Sequence, residues 1–114
     1  MTRSLTSAEI RVITQVAEQL PNDQRQRLLD DLGQASAAPA TDDGARVLFE
    51  ISGYRRPPYR GQRSFGVEGE LLDSDGTKLT FELYADENGH LLELELIRWG
   101  EGNLICPNWN TINL

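Results

Sequence analysis

The chain has 114 residues, 18 acidic and 11 basic side chains, a formal charge of −7 and 39% hydrophobic residues. That is the size and make-up of one ordinary domain, able to bury a core without disulfides or a structural metal. Cys106 is the only cysteine, which excludes an internal disulfide, and the acidic balance disfavours nucleic acid and favours a basic protein as partner.

The first element is a helix. Thr6 and Glu9 stand at capping-box spacing, with Leu5 and Ile10 at the staple positions on either side. Ile10, Ile13, Val16, Ala17 and Leu20 then recur on one helical face until Pro21 stops the run. A second helix is expected from Asn22 or Asp23, showing Leu28, Leu29 and Leu32 and ending at Gly33. Residues 34–44, QASAAPATDDG, have no periodicity and read as a mobile link.

From Arg46 the period changes to two. Four strands are expected, carrying Val47, Phe49 and Ile51; Val67, Gly69 and Leu71; Leu79, Phe81 and Leu83; and Leu92, Leu94 and Leu96. The turns fall at Ser74–Gly76 and Asp86–Gly89, each ending in glycine. The expected fold is α+β, two N-terminal helices packed on one face of an antiparallel sheet of about four strands. It forms a single domain over 1–114: a helical part 5–33, the link 34–44, the sheet 45–100 and a C-terminal extension 101–114.

Hairpin register follows from the turns. A three-residue loop at 74–76 sets Leu71 against Leu79, Gly69 against Phe81 and Val67 against Leu83. A four-residue loop at 86–89 sets Ala85 against His90, Leu83 against Leu92, Phe81 against Leu94 and Leu79 against Leu96. The other face then carries Glu68, Glu82 and Glu93 in one row and Glu70, Thr80 and Glu95 in the next, with Lys78, Tyr84, Ile97 and Trp99 around them. Residues 65–101 hold ten acids against Lys78 and Arg98. Like charges directly opposite in a sheet are destabilising.

The stretch GYRRPPYRGQRSFG, residues 53–66, has the reverse sign, with Arg55, Arg56, Arg60 and Arg63 and no acid. Arginines interleaved with Tyr54, Tyr59 and Phe65 suit single-stranded nucleic acid. The surrounding acids and the stiff Pro57-Pro58 pair favour instead a loop lying beside the acidic face and neutralising part of it.

Other chemistry finds little support. Asp73-Ser74-Asp75-Gly76 lacks the EF-hand glycine and glutamate, since Lys78 and Tyr84 stand in their places; a loop counted from Asp86 meets Ile97 where the glutamate belongs. His90 is the only histidine, so neither a metal centre nor a triad is expected, and Cys106 has no basic neighbour to activate it. Crowded glutamates can act as an acid–base pair, but a flat sheet face is no cleft. No enzyme, cofactor or metal is expected. With no apolar run of the ~18–20 residues that cross a bilayer and a polar N-terminus, the expected location is cytoplasmic.

LTSAEIRVI near the start and DENGHLLELELIRWGEGNLICP near the end resemble a family of small bacterial α+β proteins of unassigned function. Some of these look like immunity proteins of contact-dependent or polymorphic toxin systems. The resemblance implies a protein that neutralises a basic toxin domain, such as a nuclease, and supplies no catalytic residues. On this expectation Glu68, Glu70, Glu82, Glu93 and Glu95 meet the partner's cations, and Tyr84, Ile97 and Trp99 anchor the contact. The alternative is a small subunit or ligand-binding domain whose acidic face is merely solvated.

Overall fold

The computed structural model describes residues 2–114. Helix α1 (Ser7–Glu18) begins at the expected cap: the Thr6 hydroxyl accepts from the Glu9 amide at 3.1 Å and Glu9 Oε1 accepts from the Thr6 amide at 2.8 Å. Arg3 holds the same carboxylate with two bonds of 2.8 and 2.9 Å, which ties the N-terminal segment to the helix start. Val12, Ile13, Val16, Ala17 and Leu20 enter the core, whereas Ile10 stays 45% exposed, so the buried stripe is rotated from the expected one. Helix α2 (Asn22–Leu32) contributes Leu28.

Among the described residues six strands follow: β1 (Ala35–Pro39), β2 (Arg46–Ile51), β3 (Arg63–Leu72), β4 (Lys78–Ala85), β5 (Leu91–Arg98) and β6 (Asn108–Asn113). They form one antiparallel sheet in the order β1-β2-β5-β4-β3-β6. The four expected strands are its centre, and both edges are additions. The expected link contains β1, which pairs with β2 from Ala35↔Ile51 to Pro39↔Val47. Its small residues have weak strand propensity, but the open edge of β2 supplies a ladder, Ala37 is fully buried, and Arg3 bridges Ala37 from the far side. The expected C-terminal extension contains β6, which pairs with β3 and rests Trp109 and Ile112 against the core.

The β3–β4 hairpin has the expected register, with Leu71↔Leu79, Gly69↔Phe81 and Glu68↔Glu82. Beyond Glu68 two extra residues bulge out of β3, so Ser64 meets Tyr84 and the expected Val67–Leu83 pair is lost. The β4–β5 hairpin departs by two residues: Leu83 faces Leu94, Phe81 faces Leu96 and Leu79 faces Arg98. One residue of the shift comes from the turn, which closes between Asp86 and His90 instead of Ala85 and His90. The other comes from a bulge that sets Leu91 and Leu92 against Ala85. A net shift of two leaves every side chain on its expected face.

Val12, Ile13, Val16 and Leu28 of the helices share one apolar cluster with Val47, Phe49, Leu71, Leu79, Phe81, Leu83, Leu91, Leu94 and Leu96 of the sheet. Trp109 of β6 lines the same small cavity as Val47 of β2 and Leu94 of β5, so the sheet curls from one edge toward the other. Among the described residues no helix is long and apolar enough to cross a membrane.

Candidate protein-binding face

Among the described residues five acids are buried, and each is answered. Glu9 takes Arg3, Glu93 takes Arg46, and Asp31 takes the Leu91 amide and the ring of His90, whose Nδ1 lies 2.9 Å away. The remaining two open the β3–β4 and β4–β5 turns. Asp73 accepts from the amides of Ser74, Ile105 and Cys106 and from Arg98. Asp86 accepts from the amides of Asn88 and His90, the Tyr54 hydroxyl and Arg56. Burial pushes both carboxyls up, but these donors outweigh it and hold Asp73 and Asp86 below the usual carboxylate range. The repeated Asp-x-x-Gly turn is thus a fastening point for a distant segment. Arg98 also pairs with Asp75 at 2.7 Å, so these turn aspartates are already satisfied by an internal cation.

This arrangement answers where the arginine loop goes. Arg56 alone folds back, and onto Asp86 at 2.7 Å, not onto the glutamates; its other amino group donates to the carbonyls of Phe49 and Leu91, both at 2.9 Å. The Tyr54 and His90 rings stack beside it with centroids 4.2 Å apart. The segment from Arg56 to Gly61 lines one small concavity with the bulged Leu92, which is buried. Arg55, Arg60 and Arg63 have no carboxylate partner among the described residues.

On the outer face of the sheet the register builds the row Glu68↔Glu82↔Glu95 across β3, β4 and β5. Glu95 therefore takes the place expected for Glu93. Glu93 lies one step along, opposite Tyr84, and is only 2% exposed, held by Arg46 at 2.8 and 3.1 Å. It is a structural ion pair closed to a partner, a correction that follows from the turn and bulge described above. Glu70 is also spoken for, by Lys78 at 2.9 Å, although both are exposed. Glu68, Glu82 and Glu95 have no cationic partner within salt-bridge distance among the described residues.

The expected apolar residues gather along this row. Ile97 is 46% exposed and Trp99 is 64% exposed. The Trp99 indole N–H donates to Thr80 Oγ1 at 3.0 Å, and the Tyr84 hydroxyl donates to Glu95 at 3.4 Å. Glu68, Thr80, Glu82, Tyr84, Ile97 and Trp99 line a groove of about 200 Å³. Partial burial, then the fields of Glu82 and Glu95, push the Tyr84 phenol up to about 12. The groove is therefore negative, with an aromatic at either side. Among the described residues no three His, Cys, Asp or Glu side chains converge as metal ligands.

Fold and face together define a small α+β domain with an acidic, aromatic-edged outer sheet. Residues 2–107 match the family described as a domain of unknown function, DUF6984, and the chain belongs to that family. No curated protein and no solved structure matches it.

Proposed function

We propose that this chain is a binding protein that docks a basic protein partner on its outer sheet face, and that the partner is a toxin domain which docking neutralises. The observation that carries the docking reading is the exposure of Ile97 and Trp99 beside Glu68, Glu82 and Glu95, which form no ion pair among the described residues. Aromatic anchors ringed by charge are the usual make-up of an interface centre. Aligned glutamates repel one another in the free protein; a partner's Lys or Arg relieves that repulsion and steers the encounter. The contact set is Glu68, Glu82, Glu95, Tyr84, Ile97 and Trp99, with Glu70 at its rim. The toxin-neutralising setting rests on the sequence resemblance.

The test is to co-express this chain with a basic toxin domain, taken from the neighbouring gene where that gene encodes one, and measure association rates at two salt concentrations. Glu82→Gln removes the middle charge of the row, and should slow association several-fold at low salt while leaving the free protein as stable or slightly more so. Trp99→Ala should speed dissociation. Unchanged rates for both variants would leave the face merely solvated. Failure of the wild type to bind any basic domain would end the docking reading altogether.

A further inference from the structure

A second concavity, of about 270 Å³, lies at the other end of the fold where β3 breaks register with β4. Its walls come from α2, through Gln24 and Arg27, from the start of β3, through Arg63, Ser64 and Phe65, and from Gly89 of the β4–β5 turn. Bulges re-aim side chains and gather beside binding sites. Here the bulge is a built feature: Gly66 sits at φ +80°, and its amide donates to Ser64 Oγ at 2.9 Å.

The charge of the cleft runs against that of the chain. Arg63 has no carboxylate partner among the described residues, and Arg27 donates only to the Asn88 carbonyl at 3.2 Å. The guanidinium of Arg27 lies over Gly89, where a side chain would meet its Nη1 at 2.7 Å; glycine keeps that approach open. Asp86 also borders the cleft, but its carboxylate is already engaged by Arg56, Tyr54 and two amides. In a chain with 18 acids, two arginines that line one cleft and form no ion pair among the described residues are poised for an anion from outside.

We propose that this cleft binds a small phosphomonoester with a flat or apolar body. Two guanidinium forks match the charge and oxygens of a phosphate dianion, better than the single charge of a carboxylate. Gln24 and the Ser64 hydroxyl add polar contacts, and the half-buried Phe65 offers a wall for the body of the ligand. The cleft volume falls just under the usual range for ligand sites, so the guest is ring-sized or sugar-sized.

Titration of the 15N-labelled chain with phenyl phosphate at low ionic strength tests this. The amides of Ser64, Phe65 and Gly89 should shift and saturate, and binding should weaken as pH falls below about 6 and the dianion is lost. Arg63→Gln and Arg27→Gln should each weaken binding about tenfold, whereas Arg11→Gln, on the exposed side of α1, should leave it unchanged. Arg63 makes no ion pair, so Arg63→Gln keeps the fold and decides the matter if Arg27→Gln unfolds. The absence of saturable shifts at those three amides, or wild-type affinity in Arg63→Gln, overturns the site. Benzoate bound as tightly as phenyl phosphate overturns the phosphate assignment, and inorganic phosphate bound as tightly overturns the role of Phe65.

Discussion

Replacing Arg56 by glutamine should destabilise the protein far more than the same change at any other arginine of the 53–66 segment. Its guanidinium makes three bonds at once, to Asp86 at 2.7 Å and to the carbonyls of Phe49 and Leu91 at 2.9 Å each. A bond to a charged acceptor contributes about 1.5–3 kcal/mol and each carbonyl bond about 1 kcal/mol. The Arg56 side chain is 24% exposed, so water replaces part of what is lost, and the net cost should be about 2–4 kcal/mol. Asp86 is left with Tyr54 and two amides, and the loop beside Leu92 loses its tie to β2 and β5. In urea melts the midpoint should fall by about 1–2 M, given the usual slope for a domain of this size. Arg55→Gln, Arg60→Gln and Arg63→Gln, which break no ion pair, should each stay within about 0.5 kcal/mol. Acid supplies a second reading. Asp86 is held below its unfolded value of about 3.9, so its contribution is complete above about pH 4 and is lost as pH falls through the lower folded value. Part of that lowering comes from Arg56, so the gap between wild type and Arg56→Gln should narrow in acid. A loss below about 1 kcal/mol at pH 7, or one no larger than that of Arg55→Gln, would refute the clamp.

Other outcomes follow from the same geometry. Phe81→Ala, at a ring 2% exposed, should cost about 3–5 kcal/mol in urea melts. Gly69→Ala should also destabilise, by about 1–3 kcal/mol, because a Cβ there would overlap the Phe81 ring across the β3–β4 pair; the double change with Phe81→Leu should recover part of the loss. Below about pH 4 the melting temperature should fall steadily, since the carboxyls of Glu9, Asp43, Asp73, Asp75 and Asp86 are all held below their ordinary values and their stabilisation goes as they protonate. Asp73→Asn should reduce stability at pH 7 and flatten that acid slope, measured by calorimetry across the range.

The two helices, the four central strands, the 74–76 turn and the inward set of Phe81, Leu83, Leu94 and Leu96 were legible in the residues alone, because capping, periodicity and turn glycines are local signals. The outward placement of Glu68, Glu82, Glu95, Tyr84 and Ile97 was equally legible, since a register error of two leaves each side chain on its face. Which glutamates are free was not legible. A three-residue turn between Asp86 and His90 and a bulge at Leu91–Leu92 moved Glu93 out of the row and brought it to Arg46, far off in sequence. Strands β1 and β6 were hidden for a related reason: ASAAP and NWNTIN have little periodicity of their own, and the ladders that make them strands belong to β2 and β3. The burial of Asp31, Asp73 and Asp86 likewise depends on donors brought from distant segments, and only tertiary folding sets those carboxylates beside Arg56, Arg98 and His90.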